Sequence, residues 1–206
     1  MAQIKVLIAD DHALVRMGLR LLIGSQKDLR LVAEVKNGRE AVEAVERLRP
    51  DVAVLDLMMP QLNGSEAAAK IKASCPDTKV VVLTSYEMSN GIAQALRNGA
   101  RGAMLKNADN AQLAQAIRKV AGGGEYVSPE IRQQLAVNPP IPDLTPRQEE
   151  ILASMIRGLT DRDIARQLGI RQDGVNEHVS AILRKIGAAN RTEAVAIALR
   201  KHLLKI

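Results

Sequence analysis

The feature that most restricts this chain is a regular alternation over its first 121 residues. Five short apolar runs, "IKVLIA", "LRLVAEV", "DVAVLDL", "KVVVLTS" and "GAML", are rich in Val, Ile and Leu and mostly lack strict in-out alternation. Such runs suit strands buried on both faces. Between them apolar residues recur at helical spacing, as with Ala41, Val45 and Leu48, and again with Leu113, Ile117 and Val120. Alternating strands and helices imply right-handed βαβ units around a parallel sheet.

Five strands and five helices in about 120 residues suit an α/β, flavodoxin-like, doubly wound (βα)5 domain over residues 1–121. A site in such a sheet lies beyond the carboxyl ends of the strands. Residues 122–143, "GGGEYVSPEIRQQLAVNPPIPD", hold three glycines and four prolines around a short helical stretch, "PEIRQQLA". This composition reads as a linker, flexible at its start and stiffer at "NPPIP". From residue 144 to 206 only helical periodicity remains. "TPRQ" starts a helix, with Thr145 as N-cap, Pro146 in the first position and Gln148 completing a capping box. "TDRD" starts a second, short helix that ends at Gly169, and a third carries Val175, Val179, Ile182 and Ile186 on one face. "NRTEAVAIALRKHLLKI" makes a fourth. Two helices joined by a glycine-containing turn form a helix-turn-helix, so the second domain reads as an all-α four-helix unit.

No apolar run approaches the ~20 residues that span a bilayer. "MAQIKVLIADD" carries acids where a secretion signal has its cleavage site, so the expected compartment is the cytoplasm, with no membrane partner. Cys75 is the only cysteine; it forms no internal disulfide and is expected to be a small core residue. The formal charge of +6 is compatible with nucleic acid. Only Tyr86 and Tyr126 are aromatic, which argues against single-strand or RNA binding by base stacking.

Three acids end apolar strands: Asp10 and Asp11 after "VLIA", and Asp56 after "VAVL". If the first and third strands are neighbours, these carboxylates converge and need a compensating cation. A hard divalent ion such as Mg²⁺ and the ammonium of Lys106, just after "GAML", are the two candidates. Thr84, ending "VVVLT", offers a hydroxyl at the same edge. The chemistry that fits is phosphoryl transfer to a carboxylate: Asp56 attacks phosphorus, the metal and Lys106 neutralise the equatorial oxygens, and Thr84 hydrogen-bonds one of them. Aspartyl-nucleophile phosphatases also place an Asp at a strand end, but they carry a second Asp two residues later. Here that position is Met58, so the chain is read as a phosphoacceptor and not as an enzyme.

The stretches "IADDH", "DLMMPQLNG", "LTS" and "GAMLK" resemble the receiver domain of two-component response regulators across residues 3–121. The resemblance implies that Asp56 accepts a phosphoryl group from the phosphohistidine of a sensor histidine kinase. It implies Mg²⁺ held by Asp11, Asp56 and the backbone carbonyl of Met58, with Asp10 alongside. Thr84 and Lys106 match the family's switch hydroxyl and lysine. Receivers usually carry Tyr or Phe three residues before that lysine, a ring that moves when the hydroxyl is recruited. Here it is Ala103, so activation is expected to use other contacts, with Tyr86 a candidate.

"LTPRQEEILASMIRGLTDRDIARQLGI…VNEHVSAILRKIGAANRTEAVAIAL", residues 144–199, closely resembles the LuxR-type helix-turn-helix of the NarL/FixJ response regulators. This resemblance implies a transcription regulator whose third helix enters the major groove of double-stranded DNA. Its fourth helix would pair with a second subunit, giving a homodimer when phosphorylated. Val195, Ala198 and Leu199 are the expected pairing face. The reading helix departs from the family pattern: Arg171 replaces the capping Ser or Thr, Gly174 a Thr, and Asn176 a Lys. The face opposite its apolar stripe centres on Asp173, Glu177, Ser180 and Arg184, with Asn176 at the edge. Asn and Gln pair bidentately with adenine and Glu accepts from cytosine, so Gln172, Asn176 and Glu177 are expected to read bases. Phosphate contacts are expected from Arg162, Arg166, Arg171, Arg184, Lys185 and Arg191. Residues 143–206 hold 11 Lys and Arg against 8 Asp and Glu, a modest footprint. The alternative is a degenerate reading helix in a regulator that works mainly through protein contacts. Of the histidines, His12 is read as scaffold, His178 as a rim residue of the core and His202 as exposed.

Overall fold

The computed structural model describes residues 3–85, 89–201 and 203–204, in two compact units that divide after Asn138. Tyr86 and His202 lie outside the described residues, so neither expectation made for them is addressed.

The five apolar runs become β1 (Ile4–Ala9), β2 (Leu29–Val35), β3 (Val52–Asp56), β4 (Lys79–Thr84) and β5 (Gly102–Leu105). They alternate with α1 (Ala13–Ser25), α2 (Gly38–Leu48), α3 (Gly64–Ser74), α4 (Ser89–Arg97) and α5 (Asn110–Ala121). The sheet is parallel in the order β2-β1-β3-β4-β5, extended by a sixth strand, β6 (Tyr126–Val127). Strand order reverses at β1 and β3, so their carboxyl ends flank the crevice where α/β sheets place ligands.

Alternate strand residues go to opposite faces. Leu7, Ala9, Ala53, Leu55, Val80, Val82, Ala103 and Leu105 meet α2, α3 and α4 through Val45, Ile71 and Ile92. Val6, Ile8, Val52, Val54, Val81, Leu83 and Met104 meet α1 and α5 through Leu22, Ile23, Leu113 and Ile117. Both faces are dry, which is why the strands read as unbroken apolar runs. Cys75 is 1% exposed in the first of these cores, as expected.

Residues 122–138 correct the linker reading. Gly123 turns the chain at φ +86°, then Tyr126 and Val127 pair with Gly102 and Ala103 on the open edge of β5. A helix follows, α6 (Pro129–Val137), with Pro129 in its first turn and Ser128 as N-cap. Its Ile131 is fully buried in the α4-side core. The Gly and Pro content reads as flexible, whereas the edge needs only a turn and two or three apolar side chains to capture the segment. Past this helix, residues 139–143 run outside regular elements up to the second unit's first helix.

The second unit holds α7 (Pro146–Ile156), α8 (Asp161–Leu168), α9 (Gln172–Ile186) and α10 (Arg191–Arg200). The capping box at Thr145 and Gln148 is formed, and Gly169 closes α8 in the left-handed conformation at φ 63°. Ile151, Leu152, Ile164, Val175, Ile182 and Ala194 build its core. Ala198 belongs to that core too, 2% exposed, so it is not part of an outward pairing face. Leu199, 47% exposed, is the outward residue of the expected trio. No helix among the described residues is long and apolar enough to cross a membrane.

Candidate functional site

Asp10 follows β1 directly and is fully buried. Its backbone is held from two sides: its N–H donates to the carbonyl of Val35 at 3.2 Å, and its carbonyl accepts from the Arg16 guanidinium at 2.7 Å. Its Oδ1 accepts the N–H of His12 at 2.8 Å. Asp56 is the last residue of β3 and 3% exposed, and its Oδ1 accepts the N–H of Met58 at 3.2 Å. The loop that follows returns so closely that a Cβ on Gly64 would lie 2.3 Å from the Asp56 carbonyl oxygen. Only glycine fits there, and α3 begins against the acceptor strand as a result.

Lys106 arrives from β5. Its N–H donates to the carbonyl of Thr84 at 2.8 Å, which aligns the ends of β4 and β5. Its Nζ lies 2.8 Å from Asp10 Oδ2 and 2.8 Å from Asp56 Oδ2. These two oxygens are buried, and among the described residues only this ammonium reaches them. The contact is an ion pair, not a hydrogen bond of regular geometry. Thr84 ends β4 and is 1% exposed, its hydroxyl donating to the carbonyl of Ser85 at 2.9 Å.

The charges work against burial. Desolvation pushes the Asp56 carboxyl above its usual range and the Asp10 charge adds to this, while Lys106 and the Met58 N–H pull the other way without cancelling it. Burial also opposes the Lys106 charge, but the close approach and attraction of Asp10 and Asp56 outweigh it and hold the ammonium above its usual range. Two carboxylates thus share one ammonium, and Asp11 adds a third, its side chain 39% exposed. The surplus of negative charge is what a divalent cation would neutralise. Single ligand atoms from Asp10, Asp11, His12 and Asp56 lie within 4.8 Å of one another. The donors are mostly oxygens, and the exposed side at Asp11 leaves room for retained waters. The residues therefore fit Mg²⁺.

The strand-end acids, Lys106 and Thr84 are brought to one sheet edge, as the sequence led us to expect. The sequence reading missed two supports. Arg16 anchors the Asp10 backbone. His12, treated as scaffold, places Nδ1 2.7 Å from Asp11 Oδ1 and 3.2 Å from Asp10 Oδ1. Their signal was there, since "DDHALVR" puts both one helical turn apart at the start of α1.

In the second unit α9 begins at Gln172 with Arg171 as N-cap, and no side chain caps it. Asn190 and Thr160, by contrast, cap α10 and α8 with their side chains. Arg171, Gln172, Asp173, Asn176, Glu177, Ser180 and Arg184 are exposed, while Val175, Val179, Ile182 and Ile186 are buried. His178 is half-buried at the rim between them. Two expected phosphate contacts are engaged internally. Lys185 Nζ donates to the Asp143 carbonyl at 2.7 Å and to Gln148 Oε1 at 2.9 Å, fastening α9 to the start of α7. The Arg191 guanidinium binds the Asp161 carboxylate and the Leu159 carbonyl. Both cations sit on half-buried surface beside an acceptor, which periodicity in the sequence does not show.

Two families match this chain: response regulator receiver domain over residues 6–118, and bacterial regulatory proteins of the luxR family over residues 142–198. The oxygen regulatory protein NreC of Staphylococcus carnosus is 36% identical over 214 residues, covering 97% of this chain and 99% of the relative. The transcriptional regulatory protein LnrK of Bacillus subtilis is 35% identical, covering 96% of this chain and 97% of the relative. Among solved structures, the response regulator ChrA of a heme-sensing two-component system is 32% identical. Its TM-score is 0.60 over 99% of this chain and 100% of that one. RcsB of Salmonella enterica serovar Typhimurium, bound to a promoter, has a TM-score of 0.71 over 96% of this chain and 98% of that one. At 21% identity it speaks for the fold alone. With matching domains at both ends and relatives aligned along the whole chain, the protein belongs to the two-component response regulators that join a receiver domain to a LuxR-type DNA-binding domain.

Proposed function

We propose that Asp56 is the phosphoryl acceptor and that its state controls DNA binding by the second unit. The observation that carries this reading is the ammonium of Lys106 set 2.8 Å from both Asp10 and Asp56 at the switch point of the sheet. A carboxylate oxygen of Asp56 attacks the phosphorus of a sensor kinase phosphohistidine. A P–O bond forms, the P–N bond breaks, and the imidazole leaves with the electron pair. Lys106 turns from the carboxylate toward the phosphoryl oxygens, and Thr84 donates its hydroxyl to one of them. Mg²⁺, held by Asp11, Asp56 and the Met58 carbonyl with Asp10 alongside, would supply charge neutralisation for the transferred group. The acyl phosphate carries about −1.5 to −2 charges where the carboxylate carried −1, and it carries them further out at the strand ends.

In the second unit, Gln172, Asn176, Glu177 and Ser180 form a low-charge reading surface for the major groove. Arg171 and Arg184 flank it as phosphate contacts, while Lys185 and Arg191 hold the helix in place. Phosphorylation favours a homodimer, placing two copies of α9 one or more helical turns of DNA apart, ~34 Å each. The protein would act in the cytoplasm. The +3 balance of residues 143–206 favours weak non-specific binding with a shallow salt dependence.

One observation favours a second reading. Asp173 and Glu177 stand exposed on the side that would meet phosphates, which suits a regulator acting through protein contacts. Selection from a random duplex pool, with Mg²⁺ and with or without beryllofluoride, separates the two. A two-fold symmetric motif enriched only with the mimic is expected. No motif in either state, with phosphoryl uptake intact, would favour the protein-contact reading.

A further inference from the structure

α6 occupies the ground where a free connector was expected. Its N-cap Ser128 is fully buried; the hydroxyl accepts the N–H of Ile131, and the Ser128 N–H donates to the carbonyl of Ala103. Ile131 is fully buried and Leu135, one turn on, is partly buried; both join the core that includes Ile92, Ala95 and Leu96 of α4. α6 touches α4 and β5. Position 103 of β5 is an alanine with no exposed surface, so no ring on this strand moves between the acceptor site and the outside. The apolar bulk over this part of the sheet comes from α6 instead.

The seat is narrow. Arg132, Gln133, Ala136 and Val137 face solvent, which leaves Ile131 and Leu135 to hold the helix. The side-chain amide of Gln134 is buried there with no acceptor among the described residues. Undocking would return that amide to water, so the docked state carries a built-in cost.

We infer that α6 is the coupling element of this protein: its docking on α4 and β5 is linked to the state of Asp56, and its release passes that state to the chain that continues from Pro139. The inference rests on the reading of Asp56 as the phosphoryl acceptor. Thr84 and Lys106, the two groups that phosphate would recruit, end β4 and lead out of β5, and α4 begins at Ser89, five residues after Thr84. The strand that leads to Lys106 and the helix that follows Thr84 are thus the seat of α6. Linkage is reciprocal: if phosphate at Asp56 loosens α6 by some factor, loosening α6 raises affinity for phosphate by the same factor.

The test is hydrogen exchange on the full chain with Mg²⁺, with and without beryllofluoride. Amides of residues 131–137 are expected to exchange ~10-fold faster with the mimic, within the range of allosteric couplings, while α2 on the far edge stays unchanged. Ile131→Ala should exchange fast without the mimic and bind it several-fold more tightly. Ser128→Ala, which removes the helix cap and leaves the core alone, should move both readings in the same direction. Ile131→Val, which loses a single buried methyl, should shift both readings in the same direction but by less than Ile131→Ala. If beryllofluoride binds and gates DNA binding while α6 exchange stays fixed in wild type, the coupling role is overturned and the acceptor reading stands. If beryllofluoride does not bind at Asp56, both fall together.

Discussion

The acceptor cluster and the exposed face of α9 both depend on a few polar residues, but the protein holds them in opposite ways. Asp10, Asp56 and Lys106 are fixed by strand ends, by buried surroundings and by one another. On α9, Gln172, Asn176, Glu177 and Ser180 stand in solvent, on a helix whose first turn lacks a side-chain cap. The first site is an internal structure that exists before any partner arrives. The second is a surface whose chemistry is completed by its partner. Substitutions in the first should therefore change both stability and activity, and substitutions in the second should change recognition alone.

The largest effect is expected at Asp56. Asp56→Asn removes the nucleophile, and phosphoryl uptake from a small donor should fall by ~10³-fold or more. The measurement is incorporation of labelled phosphate with Mg²⁺ present. Uptake near the wild-type level would mean that another acid accepts, and the contrast between a fixed and an open site would lose its first term.

Lys106→Ala tests whether the cluster is held together as described. Breaking a fully buried ion pair costs ~3–5 kcal/mol; with Lys106 14% exposed, roughly 2–3 kcal/mol is expected in chelator. Mg²⁺ should restore a large part of this, because it neutralises the same carboxylates, with ~2.7 kcal/mol available at a hundredfold excess over the dissociation constant. Urea unfolding with and without Mg²⁺ reads both quantities. Equal stability of wild type and variant in chelator would show that the carboxylates are not destabilised by losing their ammonium.

The difference between the two sites also explains what the sequence discloses. A parallel sheet leaves few options: acids at the ends of the first and third apolar runs must meet once strand order reverses between them. The spacing of Asp10, Asp56, Thr84 and Lys106 therefore led to one site. Its supports were harder to read: "DDHALVR" spaces His12 and Arg16 one helical turn apart, but spacing does not tell that Arg16 holds the Asp10 backbone and that His12 closes on the two acids. On α9 the buried stripe was legible for the same reason as the sheet core. The roles of its cations were not. Lys185 and Arg191 look like Arg184 in the sequence, yet Lys185 closes on Asp143 and Gln148, and Arg191 closes on Asp161 and Leu159. The segment from 122 to 138 misled for a related reason. Its Gly and Pro residues made a turn and a helix start, and Tyr126, Val127, Ile131 and Leu135 carry the packing.

On the open face, Glu177→Lys should alter which bases are preferred and leave the unfolding midpoint almost unmoved. A well-placed base contact is worth ~1–3 kcal/mol, so selected motifs should differ at one position per half-site. A variant that binds the same motif as wild type would remove Glu177 from the reading surface. A smaller effect is expected at the start of the same helix. A Cβ on Gly174 meets open space, so Gly174→Ala should stabilise the second unit by ~0.5–1 kcal/mol. Arg171→Ser should add ~1 kcal/mol by supplying the missing cap. If neither raises the midpoint, the first turn of α9 is already as well held as the acceptor cluster, and the contrast weakens.

The smallest effect should come from a pair that has the geometry of the first site and the exposure of the second. Arg118 donates from Nε and Nη2 to the two oxygens of Asp28 at 2.7 and 2.8 Å, a bidentate contact. That hydrogen bonding holds the Asp28 carboxyl down at about 2, against an opposing push from desolvation. A depressed carboxyl contributes stability that is complete above its unfolded value, ~3.9, and is lost as pH falls through its folded value. The window for this pair therefore runs from near pH 4 down to about 2. Arg118→Ala should lower the unfolding midpoint slightly at pH 6, and the gap to wild type should close across that window. Salt should shrink the gap at pH 6 as well, because both side chains are more than two-fifths exposed. A gap as large as that of Lys106→Ala would mean that bidentate geometry outweighs solvent screening, and burial would no longer account for the difference between the acceptor site and the surface.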